Sequence, residues 1–257
     1  MSYAYIYGVV AAMKIAFVSD IHSNYEALRA AADYIKNEGI ERVYCAGDIV
    51  GYGAQPDECI EALAAMKTLC VKGNHEEYLL GGESIGNASK NAKESILWQK
   101  TVVKESSIKY LRGLNVTETL KEHSIFLTHG SPYQPEMFHY IQTPSEIMEA
   151  FAAFDEQICI IGHSHVPAAF RLDKESVLHE YKLGSTVHVE NGYRYIVNVG
   201  SVGQPRDGIP KACVYIYDTD KAVFNGKRLD YDIHTAEKKI IQAGLPSTLA
   251  YRLAFGF

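Results

Sequence analysis

Eight side chains of metal-ligand type recur where apolar runs end. "FVSDIH" delivers Asp20 and His22, "VYCAGD" delivers Asp48, and "TLCVKGNHEE" delivers Asn74 and His75. "SIFLTHG" adds His129, and "ICIIGHSH" adds His163 and His165; half of the 10 histidines belong to this set. Residues two apart on extended chain point to the same side, so Asp20/His22 and His163/His165 can each face a common point. Glycines at 47, 73, 130 and 162 leave room for sharp turns beside these groups. Taken singly, Asp20 reads as a helix-approach carboxylate, Asp48 and Asn74 as turn residues, and His129 as hydrogen-bonded structure. Jointly they cannot share one edge unpaired without large desolvation and charge costs, which bound cations remove. Imidazole, carboxylate and amide oxygen without thiolate suit Mn, Fe, Zn, Co or Ni better than Ca or a structural Cys-Zn site. The ligands are too many for one ion. Two divalent ions about 3.5–4 Å apart, bridged by a carboxylate and a water, fit the count, and such a pair activates water for hydrolysis.

The elements that must position these groups are legible as short apolar runs at 14–19, 43–47, 68–73, 124–128 and 158–161, rich in Val, Ile or Phe. Helical spacing falls between several of them. Ser23-x-x-Glu26 reads as a capping box before Leu28, Ala31, Ala32 and Ile35. Thr143-Pro-Ser-Glu146 is a second box, and Pro56 starts a helix running to about Met66. This alternation predicts largely parallel strands covered by helices, with the ligand crevice at their carboxyl ends. From about 168 the chain turns to strands ("SVLHEYKL", "STVHVENG", "YRYIVNVG", "ACVYIYDTD") with turn signals between them, which predicts antiparallel sheet. With no Ser/Pro-rich linker and no repeat, residues 13–257 are expected to form a single α/β domain of two sheets. Residues 82–115 are polar and helical, with a hinge at Gly81-Gly82, and fit either a small helical cap or a surface helix pair.

The 257 residues, 47% apolar and 22% charged, have the composition of a globular protein able to bury a full core. A formal net charge of -6 disfavours nonspecific binding of long nucleic acid. Five cysteines without a CxxC fit reduced core thiols and a cytoplasmic location. Residues 1–12 ("MSYAYIYGVVAA") lack a basic n-region and are too short to span a bilayer, and Met13 opens a natural strand start, so they read as an N-terminal extension. No membrane role is expected.

In order, "SDIH", "AGDIVGYG", "KGNHEE", "THGSP" and "GHSHVP" resemble the five metal motifs of the calcineurin-like metallophosphoesterase superfamily, across residues 18–167. "NVGSVGQPRDG" (198–208) resembles the sequence that follows them in small bacterial phosphoesterases of this group. The resemblance implies a four-layer α/β/β/α sandwich of two mixed β-sheets flanked by helices, and two divalent transition-metal ions, Mn foremost with Fe, Zn, Ni or Co as alternatives. By position it implies that Asp20, His22 and His165 hold one ion, that Asn74, His129 and His163 hold the other, and that Asp48 bridges. It further implies that a metal-bridging hydroxide attacks the phosphorus of a small phosphorylated substrate (a phosphomonoester, phosphodiester or nucleotide), with Asn74 near that substrate. His75 would act as general acid or charge stabiliser. Protein Ser/Thr phosphatases carry "GDxVDRG" and "RGNHE" where this chain has "GDIVGYG" and "KGNHE". Gly51 thus replaces the Asp that would pair with the catalytic His, and Tyr52 replaces a phosphate-gripping Arg. A typical Ser/Thr phosphatase is disfavoured, and the orienting partner of His75 stays open.

Arg206, in "GQPRDG", is a candidate phosphate clamp because guanidinium matches phosphate geometry, and equally a loop staple. The loop "GSPYQPEMFHYI" offers Tyr133 and His139 near the crevice as selectors of the leaving group. Two other readings compete with a phosphatase or phosphodiesterase. One is a nuclease, disfavoured by the acidic charge, and the other is a non-catalytic metal-binding scaffold, disfavoured by the presence of His75. A homo-oligomer stays open.

Overall fold

The computed structural model describes residues 13–81, 85–86, 88–181 and 186–257. The extension expected at 1–12 and the Gly82 half of the expected hinge lie outside them. From the amino end the elements run β1 (Lys14–Val18), α1 (Tyr25–Asn37), β2 (Arg42–Cys45), α2 (Pro56–Ala65), β3 (Leu69–Cys70), α3 (Asn74–Leu80), α4 (Lys90–Val102) and α5 (Glu105–Arg112). They continue with β4 (Thr117–Leu120), β5 (Ile125–Thr128), α6 (Pro144–Phe151), β6 (Ile158–Ile161), β7 (Ala168–Leu172), β8 (Leu178–Tyr181) and β9 (Val187–His188). The last are β10 (Arg194–Asn198), β11 (Ala212–Asp218), β12 (Val223–Leu229), α7 (Ile233–Gln242) and α8 (Ser247–Tyr251).

Two mixed six-stranded sheets result, ordered β3-β2-β1-β11-β12-β9 and β4-β5-β6-β10-β7-β8. The site-bearing strands are the parallel ones: β1 with β2, β2 with β3, and β5 with β6. Their registers keep the carboxyl ends level, Val18 beside Cys45 and Cys45 beside Cys70, so the following loops leave from one edge. Alternation of side chains along each strand then sorts the core into layers. Ile15, Phe17, Tyr44 and Val71 of one sheet meet Ile125, Leu127, Ile158, Ile160 and Tyr195 of the other. The outward residues Ala16, Val18, Val43 and Cys45 pack under α1 and α2 through Leu28, Ile35, Ile60 and Leu63. Ile147 and Phe151 of α6 cover Cys159, Ile161 and Ile196 on the far face. This is the four-layer sandwich expected of the sequence. All five cysteines are buried and unpaired. No helix among the described residues is long and apolar enough to cross a membrane.

Helix starts follow the sequence signals with one exception. Thr143 Oγ1 accepts from Glu146 N–H, and Glu146 Oε2 accepts from Thr143 N–H at 2.8 Å, a complete capping box. At α1 the cap is Asn24, whose Oδ1 accepts from Ala27 N–H, instead of the expected Ser23. Ser23 sits at φ +53, and its hydroxyl accepts from Gln99 Nε2 at 2.9 Å. Glu26, freed from the box, pairs with Lys239 of α7. Helix α4 is buttress more than surface. Ser95 Oγ accepts from Tyr52 N–H, while the Gln99 amide bridges Gly51 N–H, Gly53 C=O and Ser23 Oγ. The loops after β1 and β2 are thereby tied to one fully buried glutamine.

Candidate metal centre

All seven expected ligands and His75 converge at the carboxyl edge of the sheets, each at most 8% exposed. They do so by a different backbone route from the extended one expected. Strand β1 ends at Val18, and Asp20, His22, Asp48, His163 and His165 all take left-handed φ between +48° and +68°. L-residues adopt this region at a cost of about 1–2 kcal/mol each, so the folded edge holds strained backbone where the ligands sit. Hydrogen bonds across the loops fix the strain: His22 N–H donates to Asp48 C=O and Asp20 N–H to Gly47 C=O, both at 3.0 Å. Gly73 and Gly162 permit the close approach. A Cβ on Gly73 would lie 2.7 Å from Asp48 N, and one on Gly162 would strike the Asp20 carboxylate.

The imidazoles are aimed by backbone carbonyls. His22 Nδ1 lies 2.9 Å from Val50 O, His129 Nδ1 2.7 Å from Ala46 O, and His165 Nδ1 2.6 Å from Gln204 O. A carbonyl only accepts, so each Nδ1 carries a hydrogen; the neutral rings of His22 and His165 therefore present a lone pair at Nε2, and His129 does so once its second proton leaves. His22 Nε2 and His165 Nε2 then face each other at 3.0 Å. Two lone pairs so placed repel unless a cation lies between or beside them. Asp20 Oδ1 stands 3.2 Å from His165 Nε2 with no donor aimed at it, and Asn74 Oδ1 is likewise buried without a partner. These orphaned acceptors fit a cation. Asp20, His22 and His165 form one group with metal-binding spacing, and Asp48, His129 and His163 form another. Asp48 touches both: its Oδ2 is 3.2 Å from His129 Nε2 and 3.7 Å from His22 Nε2.

Charge follows burial. Desolvation pushes His22 and His165 well below the usual imidazole range, His163 to about 3 and His75 to about 4, so these rings are neutral at pH 7. Burial raises Asp20 to about 7. Burial opposes charge on His129, but Asp48 beside it wins and raises that imidazole to about 9. Without metal, His129 is thus protonated at pH 7 and Asp20 about half so, while Asp48, which burial would raise but the neighbouring His129 charge holds well below the usual carboxylate range, is ionised.

His75 caps the assembly without a partner for Nδ1. Its N–H donates to Asp48 Oδ1 at 2.9 Å, and its ring is enclosed by His22, Tyr52 and Tyr78 at centroid distances of 4.7, 4.6 and 5.4 Å. Gly51 packs against the ring edge. The orientation left open by the sequence therefore comes from an aromatic cage rather than a carboxylate. Glu76, fully buried at the third position of α3, is a positioning residue without a motif role of its own. Its Oε2 accepts from Asp48 N–H (2.9 Å) and Gly73 N–H (2.8 Å), and its Oε1 from Ile49 N–H (2.8 Å) and Val50 N–H (3.0 Å). It ties the β2 and β3 loops together. Its signal in the sequence was only the capping-box spacing from Gly73.

A cavity of about 570 Å³ opens over Asp48, Asn74, His75, His163 and His165. Arg206 lines it and also donates to Gln204 Oε1 at 2.8 Å within its own loop. Tyr133 and His139 do not line it. Gln134 turns the chain at φ +49, leaving Tyr133 37% exposed, and Tyr140 enters instead, stacked on His163 at 3.9 Å. Arg252, past α8, also lines the cavity and belongs to no motif. Its signal was indirect: the Asp232 cap and the buried Ala236 and Ile240 of α7 predict the helix that carries the chain back.

Residues 13–222 match the calcineurin-like phosphoesterase superfamily domain. The chain is 40% identical over 244 residues to an uncharacterized protein of Methanocaldococcus jannaschii, spanning 94% of this chain and 98% of that one. It superposes on the metallophosphoesterase of Sphaerobacter thermophilus with a TM-score of 0.82 at 33% identity, covering 96% of this chain and all of that one. A hypothetical protein from Pyrococcus horikoshii OT3 shares the fold at a TM-score of 0.75 and 21% identity, over 95% and 99% of the two chains. By sequence match as by architecture, this chain belongs to the calcineurin-like phosphoesterase superfamily, whose members are divalent-metal-dependent hydrolases.

Proposed function

We propose that this chain, from residue 13 onward, is one functional unit that hydrolyses a small phosphorylated molecule with two divalent transition-metal ions. The observation that carries the reading is the pair of opposed Nε2 lone pairs of His22 and His165 beside the orphaned Asp20 Oδ1. Asp20, His22 and His165 would hold one ion and Asn74, His129 and His163 the other, with Asp48 shared and Mn the leading metal. Such ions lower the pKa of bound water towards neutrality and neutralise charge on phosphate oxygens.

The chain's own residues do the rest. Asn74 and His75, at the cavity floor, face the entering phosphoryl group. Burial keeps the His75 ring neutral. With its hydrogen on the nitrogen that faces the ester oxygen, the neutral ring donates a hydrogen bond there as the P–O bond lengthens; to act as general acid it first takes up a second proton, which the negative charge of the bound phosphoryl group favours. The cage of Tyr52 and Tyr78 excludes water from that ring.

The test is turnover of p-nitrophenyl phosphate and bis-p-nitrophenyl phosphate by protein reconstituted with Mn, Fe, Zn, Ni or Co. His75→Ala is expected to retain bound metal and to lose more rate on alkyl phosphates than on aryl phosphates. Equal losses on both would remove the general-acid role. No turnover with any metal would favour a binding scaffold instead.

A further inference from the structure

Two guanidinium groups share the cavity wall beyond the ligand cluster, and among the described residues neither pairs with an Asp or Glu side chain. Arg206 donates from Nη2 to Gln204 Oε1 at 2.8 Å, while its Nε is buried without a partner. Arg252 donates from Nε to the carbonyl of Phe257, which leaves its terminal nitrogens uncommitted. Glu136 also lines the cavity but pairs with neither. Burial and the nearby Arg206 charge lower Arg252 to about 10, so the two cations feel each other. Repelling charges in a partly dry wall are costly unless an anion joins them.

Tyr52 sets the place of Arg206. Its ring centroid lies 4.6 Å from the His75 ring and 5.7 Å from the Arg206 guanidinium carbon. Arg206 is thus one aromatic ring away from His75, and Arg252 lines the same cavity. We propose that the substrate carries a second phosphoryl group, held by Arg206 and Arg252, beside the one that is hydrolysed. This rests on the phosphoesterase reading above and names its substrate class. Two guanidiniums match the charge and paired oxygens of a phosphoryl dianion better than a single carboxylate. The exposed ring of Tyr140, stacked on His163, supplies an aromatic surface for the remainder of the molecule. In the reaction, water oxygen bonds to the attacked phosphorus and the P–O bond to the remainder breaks. That oxygen leaves either protonated or as a phosphate anion next to the guanidiniums, and inorganic phosphate is released.

The test compares kcat/KM for p-nitrophenyl phosphate, AMP and ADP, using the full chain with Mn(II) in excess over all phosphate. Wild type is expected to prefer ADP to AMP by about tenfold or more, the equivalent of one additional charge-assisted contact pair. Arg206→Gln and Arg252→Gln should each lose about tenfold more on ADP than on p-nitrophenyl phosphate, with Arg252→Lys recovering part of the loss. Equal use of AMP and ADP by wild type would overturn the inference, as would equal losses on ADP and p-nitrophenyl phosphate in the variants. Should Arg252→Gln not fold, inhibition by pyrophosphate against orthophosphate decides: pyrophosphate binding about tenfold tighter supports the inference, and parity refutes it. Failure to hydrolyse p-nitrophenyl phosphate at all would instead strike the phosphoesterase reading.

Discussion

Gly51→Ala is the sharpest probe of how His75 is held. Gly51 lies at φ +90, and a Cβ there would sit 2.8 Å from both Cγ and Cε1 of His75 and nearer still to Nδ1 between them. Carbon contacts are comfortable at about 3.5–4 Å, so the ring must retreat by about 1 Å. Retreat is blocked by His22, Tyr52 and Tyr78 on its other sides. The backbone strain is about 1–2 kcal/mol and the overpacking about 1–3 kcal/mol, so stability should fall by about 2–5 kcal/mol. A 1 Å displacement of a reacting group costs about 100-fold in rate. The assay is kcat/KM on p-nitrophenyl phosphate under saturating Mn(II), with bound metal counted by elemental analysis. Metal content should hold while rate falls about 100-fold. Gly51→Asp, which places a carboxylate where Ser/Thr phosphatases have one, should fare no better. In combination with His75→Ala, Gly51→Ala should add almost nothing, because both act on one ring. A Gly51→Ala rate within threefold of wild type, or full additivity in the double variant, would refute the packing argument.

Three further outcomes follow from the same geometry. In the metal-free protein Asp20 titrates at about 7 and His129 at about 9, so near pH 7 both groups hold protons that ligation must displace. Metal affinity should therefore rise about tenfold or more per pH unit from 6 to 8 and level off above 9. Calorimetry in buffers of different ionisation enthalpy should register the released protons, and a pH-independent affinity would contradict the assignment. Glu76→Ala strands four buried N–H donors at about 1–3 kcal/mol each, partly relieved by water, so urea denaturation should register a loss of about 3–5 kcal/mol; a loss below about 1 kcal/mol would mean the loops are held by something else. Tyr140→Ala removes a ring stacked on His163, worth about 0.5–1.5 kcal/mol, and should weaken Mn(II) binding about 3- to 10-fold in a titration. An unchanged dissociation constant would show that the stack does not position His163.

The convergence of the candidate ligands was legible because a polar pair ending an apolar run is a local signal, and the parallel registers at Val18, Cys45 and Cys70 bring those ends level. The Thr143/Glu146 box and Pro56 were legible for the same reason: cap chemistry acts within one turn. What escaped depends on partners far along the chain. Glu76 looks like an ordinary acidic helix residue until the amides of Asp48, Ile49 and Val50 are seen around it. Ser23 has the right type and spacing for a cap, yet Gln99, far along the chain, claims its hydroxyl. Tyr133 and Tyr140 are equivalent in composition, and only the left-handed turn at Gln134 decides which ring enters the cavity. Arg252 comes back to the cavity through α7 and α8, a path that no motif near it announces. The left-handed backbone of five candidate ligands was hidden too, since none of them is glycine.

The most direct measurement is anomalous X-ray diffraction at the Mn edge on crystals of the Mn(II)-reconstituted protein. Two peaks per chain are expected: one within coordination reach of Asp20, His22 and His165, the other of Asn74, His129 and His163, with Asp48 touching both. One peak alone, or two that do not share Asp48, would contradict the two-ion assignment.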